Sequence, residues 1–167
     1  MRKDLTEGRW QRADTPAMCD WRLFRDAPDK SHNTPTSWCI YVAGLNAKHM
    51  LKKGGIPYYQ TLAEERSKLI YDVIDRSAGF YSNEVDPRLR SRVNLPFRVL
   101  NNQPLEAIFL ETAARHGLMA LGGYKGIGCR ASMYNAMPIE GAEALTRFMR
   151  QFMDENHRKV CYSQGKL

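Results

Sequence analysis

From Phe80 onward the apolar residues abandon helical spacing for short runs separated by turn residues, and this change limits what the chain can fold into. Phe80-Tyr81 and Val93–Leu100 read as two strands, with Pro96 placing the second near an edge or bulge. Asn101-Asn102 forms a turn, and Leu105, Ile108, Phe109 and Thr112 mark a helix that Gly117 closes. Leu118–Leu121 reads as a short strand, Gly122–Gly128 as a glycine-rich loop and Cys129–Tyr134 as another strand. Pro138 opens a last helix whose buried face is Leu145, Phe148, Met149 and Phe152. The order β-β-α-β-β-α predicts a small α+β domain of two layers, with helices on one side of the sheet.

The upstream half has a different character. Residues 1–32 are rich in Asp, Arg, Pro and Trp without periodicity and read as loop with at most one short strand. So long an irregular opening suggests that a structural partner is missing. Thr34 suits an N-cap and Pro35 the first helical position. The helix that follows, Ser37–Lys53, carries Trp38, Ile40, Tyr41, Val42, Leu45 and Met50 on several sides, as a helix buried by neighbours would. Gly54-Gly55 stops it. A second helix runs from near Pro57 to about Ser77, with a stripe of Leu62, Leu69, Ile70, Val73 and Ile74, and Gly79 ends it.

Composition is globular, at 43% hydrophobic and 26% charged residues. No apolar run approaches the ~20 residues of a membrane span, and the opening MRKDLTEGRW has no apolar signal-peptide core. A cytoplasmic protein with no membrane partner is the expectation. Cys19, Cys39, Cys129 and Cys161 are too scattered for a metal site or disulfide framework and read as free thiols. The net charge of +7 raises nucleic acid as a partner. Arg88, Arg90, Arg92 and Arg98 occupy even positions while Val93, Leu95, Phe97 and Val99 are odd, so on one strand the arginines share a face. That face reads first as solvated, with an anion-binding or nucleic-acid surface as the alternative, and it lacks the aromatic residues that single-stranded nucleic acid requires. His49, His116 and His157 fall at helix ends or in the tail, and no spacing supports a nucleophile–base pair.

Three places have residues suited to chemistry. In Gly122–Gly128 the glycines permit close backbone approach, and Lys125 offers charge to an anion, although the GK[ST] ending of a P-loop is absent. Arg130 follows among small and apolar residues. A guanidinium there needs a carboxylate or phosphate partner, either a structural Asp or Glu or an incoming ligand. Ser31-His32-Asn33-Thr34 stands at a helix start, where free N–H groups most often call for plain capping and also suit phosphate.

The string Arg130-Ala-Ser-Met-Tyr-Asn-Ala-Met-Pro-Ile-Glu-Gly141 resembles the RASxYNAMPxEG signature of phosphoserine aminotransferases. Asn33-Thr34-Pro35 resembles their NTPP segment, and Arg90-Ser-Arg-Val-Asn-Leu-Pro-Phe97 their RSxMNxPF strand. Gly54-Gly55 and Ile74-Asp75-Arg76-Ser77 match in order between these, and Arg2-Lys3-Asp4-Leu5 resembles the RxDL that follows the cofactor-lysine strand. The resemblance spans nearly the whole chain.

It implies an α/β fold of the type I pyridoxal-phosphate transferases, of which this chain would hold the C-terminal half. Residues 1–77 would be the end of the large cofactor-binding domain, 78–157 the small C-terminal domain, and 158–167 a basic tail. The chain would begin just after the Schiff-base lysine and be inactive alone. Asn33 and Thr34 would reach the pyridoxal phosphate of the neighbouring subunit in a homodimer. Arg130 would clamp the substrate α-carboxylate. Tyr124 and Lys125 stand where the family has a His-Arg pair for the substrate phosphate, in a loop one residue shorter; His32 replaces a tyrosine and Thr36 a proline. The complete enzyme would exchange an amino group between glutamate and 3-phosphohydroxypyruvate in serine biosynthesis. The alternative is a non-catalytic partner-binding or regulatory module descended from that family.

Overall fold

The computed structural model describes residues 4, 7, 12, 14–27 and 33–164, with side chains to residue 156. Arg2, Lys3, Leu5, Ser31, His32 and the side chains of His157, Cys161 and the basic tail lie outside the described residues. The chain divides into two compact units, residues 1–50 and 51–167. The division expected at residue 77 falls inside the second unit.

In the first unit, the expected loop with a strand is instead a 3-10 turn at Ala17–Cys19 and a short helix, α1 (Trp21–Asp26). Asp20 caps α1, its carboxylate accepting the Arg22 N–H at 2.9 Å. α2 spans Ser37–Lys52. It begins after Thr36 rather than after Thr34, so Thr34 is not its cap. Pro35 accepts the Ser37 N–H at 2.8 Å, a tight turn that delays the helix. None of its residues is buried; Trp38 is 73% exposed and Ile40 63%.

In the second unit Gly54, at φ +114, turns the chain into α3 (Gly55–Asp75). A side chain at that φ would be strained, which is why the helices meet at glycine. Next come β1 (Tyr81–Ser82), β2 (Asn94–Val99), α4 (Gln103–Arg115), β3 (Cys129–Ser132) and α5 (Ile139–Gln164). Asn102 caps α4, accepting the Leu105 N–H at 3.1 Å. The three strands form an antiparallel sheet in the order β1-β2-β3. Tyr81 lies opposite Val99, and Pro96 opposite Arg130.

The strand expected at Leu118–Leu121 does not form. The isolated bridge lies at the next residue, Gly122 to Cys129, and from the stretch itself the Leu121 carbonyl accepts the Arg130 N–H at 2.7 Å. Alternation in β2 holds: Leu95, Phe97 and Val99 are buried and Asn94 and Pro96 exposed. The buried face meets α3, α4 and α5 in an aromatic core. Phe109 lies 5.6 Å from Phe97 and 5.1 Å from Phe152, and Phe97 lies 5.9 Å from Tyr81, all ring centroid to centroid and near edge-to-face. The Tyr81 hydroxyl donates to the Met149 carbonyl at 2.8 Å, tying β1 to α5.

The arginine series does not share one strand face, because the strand begins only at Asn94. Arg88 pairs with Asp86 at 2.7 Å, Arg90 with Asp75 at 2.7 Å, Arg92 with Glu64 at 2.7 Å and Arg98 with Glu106 at 2.6 Å. Arg90 also stacks 4.7 Å over the Tyr71 ring, so the segment before β2 is pinned to α3.

Candidate functional site

The helices cover one face of the sheet, and the other carries the candidate site. Cross-strand partners in an antiparallel pair share a face, as do residues two apart along a strand. Pro96 and Arg98 of β2, Arg130 and Ser132 of β3, and Ser82 of β1 therefore project together, opposite the core. Arg130 is half-buried. Its Nε is buried without a hydrogen-bond partner, and no acidic side chain among the described residues forms an ion pair with it. The same face holds a second buried polar atom without a partner, the Ser82 Oγ. Beside Pro96 it opens into a cleft of about 250 Å³ bordered by Ser82, Asn83, Arg98 and Ile127.

The loop before β3 rises next to Arg130. The Gly123 N–H donates to the Gly128 carbonyl at 2.9 Å and closes the loop on itself. A Cβ at Gly123 would fall 1.8 Å from the Ile127 carbonyl oxygen, so only glycine permits this closure. Lys125 sits at the tip with φ +53, a left-handed conformation that costs a non-glycine residue about 1–2 kcal/mol. Lys125 and Tyr124 are both exposed, and the ammonium lies 5.5 Å from the centroid of the Tyr124 ring. A cation and a phenol are thus presented to solvent at the end of a closed loop whose base leads into β3.

Arg98 is the contrast. Its Nε donates to Glu106 at 2.6 Å, and the same carboxylate accepts the Val99 N–H at 3.2 Å. Glu106, 3% exposed, neutralises one arginine of the open face and leaves Arg130 the unpaired one. The partnership raises the guanidinium pKa of Arg98 further above its ordinary value. Cys129, facing the core, has its thiol pushed up to about 12 by burial, so it is no nucleophile at neutral pH.

Asn33 and Thr34 are exposed, ahead of α2 in the first unit. Asn33 brings an amide and Thr34 a hydroxyl to the approach of α2, donor types that suit a phosphate. Among the described lysines, Lys48, Lys52, Lys53 and Lys125 are exposed and Lys68 is tied to Asp72 at 2.6 Å.

No family model matches the sequence. Among curated proteins, the phosphoserine aminotransferase of Chromobacterium violaceum is 44% identical over 142 residues, covering 84% of this chain and 39% of that protein. That of Laribacter hongkongensis is 45% identical over 139 residues, covering 83% and 38%. A phosphoserine aminotransferase structure from Bacillus circulans subsp. alkalophilus superposes with a TM-score of 0.78 at 35% identity, covering 85% of this chain and 39% of that one. The similarity runs along the C-terminal part of the phosphoserine aminotransferases. A pyridoxal-phosphate-bound phosphoserine aminotransferase from Trichomonas vaginalis matches with a TM-score of 0.75 at 31% identity. The fold is accordingly a portion of the type I pyridoxal-phosphate enzymes, with the small antiparallel sheet as its C-terminal layer. The chain spans about two fifths of the length of the phosphoserine aminotransferases it matches.

Two residues that build this neighbourhood escaped the sequence reading. Glu106 and Arg66 are both almost wholly buried. The available signal was position: Arg66 is four residues before Ile70 on the apolar stripe of α3, and Glu106 is three before Phe109 in α4.

Proposed function

We propose that this chain supplies the substrate-carboxylate clamp of a phosphoserine aminotransferase whose Schiff-base lysine lies elsewhere. The carrying observation is Arg130, half-buried on an open sheet face with its Nε buried and unpartnered. A planar fork with no internal carboxylate is suited to receive the α-carboxylate of glutamate or of a 2-oxo acid through two parallel N–H···O bonds. Lys125 and Tyr124, at the loop tip, meet the distal phosphate of 3-phosphohydroxypyruvate or phosphoserine, or the distal carboxylate of glutamate. Lysine provides a point charge where a guanidinium would give a fork, so this contact discriminates weakly between phosphate and carboxylate.

Asn33 and Thr34 fit the phosphate of pyridoxal phosphate bound in a neighbouring subunit of a homodimer. When bound, that cofactor supplies the electron sink through which an amino group is exchanged in serine biosynthesis. This chain's own residues bind and orient; the anchoring lysine and the proton transfer at the substrate come from outside it. The chain alone therefore carries out no transamination.

Calorimetric titration of the full chain with L-glutamate tests the clamp. Arg130→Met should weaken binding by about tenfold to a hundredfold, the worth of a charge-assisted pair at ~1.5–3 kcal/mol. Equal affinity in the variant and the original chain would refute it.

A further inference from the structure

Arg66, on α3, is 0% exposed, the largest of the fully buried side chains. No acidic side chain among the described residues pairs with it. Its Nε donates to the Leu62 carbonyl of its own helix at 3.1 Å. Its Nη1 donates to two carbonyls across the chain, that of Tyr134 at 2.8 Å and that of Met137. Its Nη2 is buried with no partner. Desolvation lowers its pKa from the ordinary arginine value. Burying a guanidinium without a counter-charge is costly, and a methionine or leucine would fill the volume at lower cost. The location of the two long-range bonds suggests why the charge is kept.

Tyr134 and Met137 are the ends of one tight turn, closed by the Met137 N–H donating to the Tyr134 carbonyl at 2.9 Å. That turn is the exit of β3, the strand that carries Arg130. Just before it the Met133 N–H donates to the Val93 carbonyl at 2.7 Å, fastening the strand end to the segment leading into β2. One guanidinium nitrogen thus locks the turn from beneath and ties it to α3, itself held to Arg90 through Asp75. Across β3, the Arg130 N–H is held by the Leu121 carbonyl on the loop side. The strand is pinned at both ends, and Arg66 supplies the pin on the C-terminal side.

We propose that Arg66 is a positioning residue for the Arg130 clamp, fixing the exit turn of β3 so that the open-face guanidinium is presented to an incoming carboxylate in one orientation. This rests on the carboxylate reading of Arg130. Coupling is reciprocal: if the Arg66 anchor favours carboxylate binding, a bound carboxylate must tighten the anchor.

The test follows the side-chain N–H exchange of Arg66 and Arg130 by NMR in the full chain, with and without L-glutamate. The account predicts slower exchange at the Arg130 Nε–H and at the Arg66 Nη1–H, both beyond any slowing at the Ile70 amide of the same helix. Slowing at Arg130 alone would overturn the role of Arg66. Slowing at neither would show that no carboxylate binds, removing the clamp reading and this role with it. Because the exchange is measured on the unaltered chain, it decides the question even where a variant fails to fold. Arg66→Met should weaken glutamate binding about tenfold, whereas Arg66→Lys, whose three donors can meet the same carbonyls, should stay within about threefold. A folded Arg66→Met chain with unchanged affinity would equally overturn the proposal.

Discussion

Arg98 and Arg130 project from adjacent strands onto the same side of the sheet, yet one is neutralised by Glu106 and the other is left open. Glu106 holds both Arg98 and the Val99 N–H, so Glu106→Ala strands a backbone donor as well as a cation. Arg98 retains 30% side-chain exposure, which moderates the loss to about 2 kcal/mol by urea denaturation. Cys129 gives a pH prediction at the same scale. Its folded-state value of about 12 lies above the ordinary 9.0, so its contribution is complete below pH ~9 and is lost as pH rises towards 12. Unfolding free energy should fall across that window, and native-state alkylation at pH 8 should mark Cys19 and Cys39, both exposed, while sparing Cys129. Alkylation of Cys129 at the same rate as the other two would contradict its burial.

The helices were legible because their apolar spacing is long enough to report a period. Leu145, Phe148, Met149 and Phe152 are the buried face of α5, as their spacing required. The strands were legible only where alternation survived, in Leu95, Phe97 and Val99. Leu118–Leu121 has strand-like residues, but strand formation depends on a neighbour's register, and the one isolated bridge forms after it, at Gly122. The arginines before β2 misled for a related reason. Their even spacing counts for a strand face only if the strand reaches them, and Asp86, Asp75 and Glu64 hold that segment in other shapes. The half-burial of Arg130 was legible from its small neighbours, but the pairing of Arg98 with Glu106 was not. Phe109, 0% exposed and in edge contact with rings from β1, β2 and α5, is the hub of the core. Phe109→Ala should cost about 3–5 kcal/mol in chemical denaturation.

Over the whole molecule, α2 stands out as a helix that is apolar on several sides yet has no buried residue. Trp38, Ile40 and Leu51 are each more than half exposed. Such a surface calls for a covering, and the matched proteins are a little over twice as long as this chain. Sedimentation of the chain alone should show mass rising with concentration, and Trp38→Glu with Ile40→Glu should reduce it. The account as a whole requires that the clamp on Arg130 serve a lysine carried by other residues. The direct measurement is amino transfer from L-glutamate to 3-phosphohydroxypyruvate, with pyridoxal phosphate, after mixing this chain with the lysine-bearing N-terminal portion of the Chromobacterium violaceum relative. On the proposed reading, activity should appear in the mixture, be absent from either piece alone, and disappear when the chain carries Arg130→Met. A mixture that binds together and transfers nothing, or that works equally well with Arg130→Met, would contradict it.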